Sequence, residues 1–97
     1  MSFVQIIELR TDKSDEILKL EQEWRNATEG KRTLRRSIVA RDRNAPDRYL
    51  VLAFFDDYDS AMVNSSLPET SDFGAKQASL CDAPLAFTDL EVIEDQS

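Results

Sequence analysis

The chain has 97 residues, the size of one domain, and a chain this short buries only about 60–70% of the surface its unfolded form exposes, so association with a second copy would enlarge its core. Apolar content of 41% and charged content of 32% describe a soluble folded protein, not a disordered one. The net charge of −7 argues against nucleic acid as a partner of the whole chain, and the absence of histidine excludes Ser-His and Cys-His nucleophile pairs, His-ligated zinc, non-haem iron triads and a proximal-His haem.

Phe3 to Arg10 reads as a strand. Phe3, Gln5, Ile7 and Leu9 point one way, and Val4, Ile6 and Glu8 the other. Apolar residues on both faces place it in the centre of a sheet. Asp12 or Ser14 then supplies a helix cap, with Asp15 and Glu16 at the positive end of the helix. Ile17, Leu20, Trp24 and Ala27 form one apolar stripe, and Glu29-Gly30 ends the helix.

Leu34 to Arg41 reads as a second strand. Leu34, Ile38 and Ala40 share a face with Arg36, while Arg35, Ser37 and Arg41 share the other with Val39. Such polarity suits a sheet edge. The surrounding stretch, Lys31 to Arg48, is basic within an acidic chain. It can serve either as an anion or RNA-backbone contact or as an edge strand and loop paired with acidic neighbours. Asn44-Ala45-Pro46-Asp47 has the composition of a turn, which predicts a hairpin to Tyr49–Phe55. That next stretch is apolar at every position, so it is a strand buried on both faces.

Asp59 or Ser60 is placed to cap a short second helix bearing Ala61, Met62 and Val63, and Pro68 starts a third segment. Phe73, Gln77 and Leu80 fall on one side of that segment, near Ala78 and Cys81. Ala86 to Glu94 is the last strand, with Ala86, Thr88, Leu90 and Val92 on one face and Phe87, Asp89, Glu91 and Ile93 on the other. The order is that of a ferredoxin-like βαββαβ domain over residues 1–97: α+β, with a four-stranded antiparallel sheet whose first and third strands are central. Both helices then cover one face. The other carries half of Tyr49–Phe55 and needs a partner, most simply a second copy in a twofold dimer.

From Phe54-Phe55-Asp56-Asp57-Tyr58-Asp59-Ser60-Ala61-Met62-Val63-Asn64, through Pro68-Glu69 and Phe73, to Leu80-Cys81-Asp82-Ala83-Pro84, Phe87 and Leu90-Glu91-Val92, the chain resembles the dimeric α+β barrel superfamily, in its antibiotic-biosynthesis-monooxygenase-like group. The resemblance implies a homodimer and, in each protomer, a cavity between sheet and helices. Some members of the group oxidise polycyclic phenols with dioxygen and no cofactor; others degrade haem through a histidine ligand, which this chain lacks. Oxygenase members use Asn, Trp and Arg or Tyr side chains. Asn64 matches a helix position that faces the cavity in many members, whereas Trp24 lies on the first helix, so the group's tryptophan role does not carry over to it.

Each candidate residue also has a plain structural reading. Asn64 is read as a donor to a substrate oxygen or oxyanion, or as a helix-end residue bonded to Ser65, Ser66 or the loop before Pro68. Tyr58 either exchanges a proton with substrate or covers the edge of the core, and Tyr49 has the same two readings. Trp24, Met62, Phe73 and Phe87 line a pocket or fill the core. Cys81 has only Lys76 as a basic neighbour in sequence, which fits a small buried apolar residue better than a catalytic thiolate. Asp56, Asp57 and Asp59 lack the glycine and distal glutamate of a calcium loop and fit helix capping.

Arg35 and Arg41 are expected to form ion pairs with Asp89 and Glu91 across the dimer. The expectations for the molecule are therefore a cytoplasmic homodimer that binds an apolar or aromatic small molecule, with no metal, cofactor, nucleic acid or membrane. The expected activity is cofactor-independent monooxygenation; the alternative is a non-catalytic ligand-binding or stress-responsive module. One cysteine, no leader and no apolar run near the ~20 residues of a membrane helix support that location.

Overall fold

The computed structural model describes residues 2–97. Its elements are β1 (Phe3–Arg10), α1 (Ser14–Ala27), β2 (Arg36–Asp42), β3 (Ala45–Phe55), α2 (Tyr58–Ser65), α3 (Pro68–Ser79) and β4 (Ala86–Glu91). The sheet order is β2-β3-β1-β4, antiparallel throughout. This is the ferredoxin-like α+β arrangement, with the expected second helix in two pieces.

Register divides the sheet into two faces. Phe3 pairs with Phe55 and Glu91; Gln5 with Ala53 and Asp89; Ile7 with Val51 and Phe87; Leu9 with Tyr49. Ser37, Val39 and Arg41 extend these rows on β2. This face lies under the helices. Phe3, Ala53, Phe55 and Ala61 of α2 form its tightest cluster, with Leu34 and Met62 packed against it. Phe3 meets the Phe55 ring at 6.3 Å and the Tyr58 ring edge-on at 5.5 Å.

The opposite rows contain Val4, Phe54, Arg36 and Leu90, then Ile6, Leu52, Ile38 and Thr88. Among the described residues no helix packs on them, and Ile6, Ile38, Leu52 and Phe54 stay half-buried. Arg36 lies 6.0 Å above the Phe54 ring, a cation–π contact that shields part of an otherwise uncovered apolar surface.

Several boundaries differ from expectation. The residue before α1 is Lys13, not Asp12 or Ser14, and its side chain makes no cap. Instead the buried Thr11 hydroxyl accepts from the Lys13 N–H at 2.9 Å and donates to the Leu80 carbonyl at 2.7 Å. A tertiary tie to the end of α3 therefore orders the turn that leads into α1. Helix α1 closes at Thr28, whose hydroxyl and N–H both donate to the Trp24 carbonyl. Gly30, at φ +81°, makes the turn that follows.

The β2–β3 turn is Arg43-Asn44, tighter than the Asn44–Asp47 turn expected, because the Asp42 side chain accepts from the Asn44 N–H and lets Ala45 begin β3. Strand β2 starts at Arg36, since Leu34 turns in towards the core. Helix α2 is capped by Asp57, which accepts from the Ser60 N–H at 2.7 Å, rather than by Asp59 or Ser60. Strand β4 stops at Glu91, not Glu94, because its partner β1 begins at Phe3.

Candidate ligand-binding site

Helices α1 and α3 do not close fully on the sheet. Between them lies a cavity of about 240 Å³. Gln5, Ile7, Val51 and Ala53 form its floor. Trp24 from α1 and Phe73 from α3 form an aromatic wall, with ring centroids 6.0 Å apart. The indole is fixed because Trp24 Nε1–H donates to Thr70 Oγ1 at 2.9 Å, so an apolar ring body faces inward while its polar edge is satisfied. Phe87 lies at the β4 side with 59% of its surface exposed.

The polar groups are few and come from separate elements. Asn64, near the end of α2, is 6% exposed. Its Oδ1 accepts from the Thr33 N–H at 3.3 Å, and its Nδ2 donates to no described residue. The Asn64 side chain is thus tied to the loop after α1, while its backbone carbonyl accepts from the Ser66 and Leu67 N–H groups at the end of α2, and its amide is left beside the cavity. Among the described residues, Glu21 is the one titratable side chain on the lining. Its carboxylate accepts from the Ser37 hydroxyl at 3.1 Å, and that hydroxyl accepts from Arg25 at 3.3 Å. Gln77 and Thr70 of α3, Ser65 of α2 and Gln5 of the floor complete the polar set.

Trp24, Asn64, Phe73 and Phe87 therefore come together around one cavity. Met62 and Tyr58 do not line it. Met62 packs into the Phe3 cluster beside the cavity. Tyr58, half exposed, lies at the first turn of α2, where its ring stacks edge-on against Phe3. Its hydroxyl is not part of the lining around Trp24 and Phe73. Gln5, Glu21, Ser37, Thr70 and Gln77 were not singled out as site residues in the sequence. The available signal was polarity in an apolar row: Gln5 lies between Phe3 and Ile7 on one strand face, and Gln77 lies on the Phe73 side of α3.

Elsewhere, several acidic and basic groups are mutual partners. Asp56 accepts from Arg35 through both oxygens, at 3.0 and 2.6 Å, and the guanidinium holds the Asp56 carboxyl below its usual range. Arg48 bridges Glu8 and Asp42 at 2.8 and 2.9 Å. Arg10 pairs with Asp47, and Lys31 with Glu69. Within the basic stretch, Lys31, Arg35 and Arg48 are thus paired with acidic neighbours, and Arg32 donates to the Arg25 carbonyl.

Arg41 lies on the β2 edge and Arg35 just before it, whereas Asp89 and Glu91 belong to the β4 edge at the other side of the sheet, so within one chain they do not pair. Asp89 accepts from Gln5 Nε2 at 3.0 Å. Cys81 donates to the Gln77 carbonyl, and burial, followed by the charge of Asp82, pushes its thiol above the ordinary value; both facts disfavour a nucleophilic thiolate. Among the described residues no helix is long and apolar enough to cross a membrane.

No protein-family model matches the chain, and no curated protein matches it in sequence. Solved structures do match in shape. A protein from Nitrosomonas europaea assigned by name to the antibiotic biosynthesis monooxygenases superposes with a TM-score of 0.80 at 10% identity, covering 99% of this chain and 94% of that one. A similarly named protein from Chloroflexus aurantiacus gives 0.75 at 18% identity, covering 100% and 98%. SnoaB, a cofactor-independent oxygenase from Streptomyces nogalater, gives 0.81 at 10% identity, covering 97% and 95%. At these identities the likeness establishes the fold, and it is the fold of the antibiotic-biosynthesis-monooxygenase-like group that the sequence resembles.

Proposed function

We propose that the protein is a homodimer that binds an apolar or aromatic small molecule in the cavity between sheet and helices and oxygenates it without a cofactor. The observation that carries this reading is the Asn64 amide: it is buried, free at Nδ2 among the described residues, and set beside an apolar cavity walled by Trp24 and Phe73. The shared fold with a cofactor-independent oxygenase supports it.

In the proposed reaction a phenolic substrate loses its proton and passes electrons to dioxygen. A C–O bond forms, and the resulting hydroperoxide loses water to leave a quinone, so one phenol and one dioxygen give one quinone and one water. Asn64 Nδ2–H donates to the substrate oxygen as it gains negative charge. Glu21 is the lining group able to take up the phenolic proton. Tyr58 has no role in this scheme because of its place against Phe3.

Oxygen uptake with polycyclic phenols tests the proposal. Asn64→Ala is expected to lower the rate by roughly a hundredfold or more, the usual cost of losing one oxyanion donor. Asn64→Asp keeps an acceptor for the Thr33 N–H and removes the donor, so it separates chemistry from loop anchoring. It should still fold, though less stably because its carboxylate is buried without a cation, and lose activity. Uptake unchanged in both variants would refute the role of Asn64. A second reading, a ligand carrier without turnover, is favoured by the placement of Tyr58 outside the cavity; stoichiometric binding with no oxygen consumed would establish it.

A further inference from the structure

Gln77 is a residue whose chemistry the fold alone does not explain. It lies on α3 with only 3% of its surface exposed, and it lines the cavity. Its backbone carbonyl accepts from the Leu80 N–H and the Cys81 thiol. Its side-chain carboxamide bonds to no described residue, and neither of its polar atoms is fully enclosed by protein. The small area that Gln77 retains therefore opens on the cavity. A carboxamide buried without a protein partner costs stability. A glutamine that served only to pack α3 would be bettered by Met or Leu of similar volume.

We propose that Gln77 is a specificity-determining residue of this cavity, acting with Asn64 to select an uncharged aromatic ligand that bears a hydroxyl or carbonyl over its anionic analogue. This inference rests on the reading of the cavity as a ligand site. The Asn64 amide offers a donor, and the Gln77 carboxamide offers both a donor and an acceptor. A neutral phenol can accept from the first and donate to the second while its ring lies against Trp24 and Phe73. The lining contains no Lys or Arg, and its one charged side chain is the Glu21 carboxylate. An entering anion would lose its hydration, find no cation, and face a like charge. Two neutral carboxamides suit a ligand that arrives protonated and gives up its proton inside.

Naphthol, naphthalene and naphthoate share one ring system and differ in the group that matters. Near pH 7 the first two are neutral and the third is ionised. Calorimetric titration of the full chain should show naphthol binding more tightly than naphthalene, and naphthoate most weakly. Gln77→Met keeps side-chain length and removes the carboxamide. It should weaken naphthol about 5–10-fold, the worth of one hydrogen bond, and leave naphthalene unchanged or slightly tighter.

The ligand-free variant provides an independent readout: its Tm should equal or exceed that of the parent, because no protein hydrogen bond is lost. A lowered Tm would mark a structural glutamine and overturn the inference. Equal weakening of naphthol and naphthalene would also overturn it, as would naphthoate binding as tightly as naphthol. If none of the three binds the unaltered protein, the cavity reading itself fails, and this inference with it.

Discussion

Trp24 Nε1–H donates to Thr70 Oγ1 at 2.9 Å, joining α1 to α3 above the cavity. The bond fixes the plane of the one indole in the chain against the Phe73 ring. It is also the hydrogen bond that satisfies a buried donor at the junction of the two helices. Thr70→Val preserves shape and strands the indole N–H. Urea unfolding should show a loss of about 1–2 kcal/mol, with a shifted Trp24 emission that reports a looser wall.

The two glycines should respond in opposite directions to the same substitution. At Gly30 a Cβ would meet nothing within 4 Å, yet φ is +81°. Gly30→Ala therefore incurs a purely conformational penalty, about 1 kcal/mol or more. At Gly74, inside α3, a Cβ also meets nothing within 4 Å and φ is unexceptional. Gly74→Ala should stabilise the protein by up to about 1 kcal/mol. Because Gly74 lines the cavity, the added methyl should at the same time weaken binding of the bulkier aromatic probes. Thermal unfolding and probe titration on both variants check the pair.

Arg48 links charge pairing to acid stability. It donates to Glu8 at 2.8 Å and to Asp42 at 2.9 Å. Its hydrogen bond lowers the Glu8 carboxyl below the ordinary 4.5, and the Asn44 N–H, then Arg48, lower Asp42 below 3.8. Folded values below unfolded ones mean stability that is present above the ordinary carboxylate values and lost as pH falls through the depressed ones. Arg48→Met should therefore be less stable than the parent at neutral pH, and the two should converge on acidification below the ordinary values. A gap that persists at low pH would show that Arg48 acts through packing alone.

The uncovered sheet face carries the proposed dimer. Ile38, Leu52 and Phe54 lie side by side on it, outside any helix. A Leu52→Lys substitution places a charge at the middle of that surface and should convert a dimer to a monomer in sedimentation equilibrium. Arg35→Glu should have a smaller effect. Arg35 is exposed and paired with Asp56 in its own chain, so exposed pairs across the dimer would tune register more than affinity. Weakening of association by salt would support such pairs; no response to salt or to Arg35→Glu would remove them from the interface.

The chain order of strands and helices was legible because each element carries its own period. Tyr49–Phe55 shows the limit of that reading. Its unbroken apolar run announces a central strand, and alternation divides it into Val51, Ala53 and Phe55 on one side and Leu50, Leu52 and Phe54 on the other. What covers each side depends on which way the helices cross. Element ends were the least legible: Thr11 orders the start of α1 through Leu80, a residue 69 positions away in sequence.

The sequence by itself determined the fold class, the central place of β1 and β3, the chemistries excluded by the lack of histidine, and the candidacy of Asn64. Tertiary structure alone decided which polar groups converge. It turned Tyr58 onto Phe3 and away from the cavity, tied Asn64 to Thr33, and brought Glu21 and Gln77 to the same lining from α1 and α3. The physical reason is that periodicity assigns a side chain to a face of its own element, whereas a site is made where faces of different elements fail to close. Gln77 looks like a misplaced polar residue on one helix until Trp24, Asn64 and the sheet floor surround it with space.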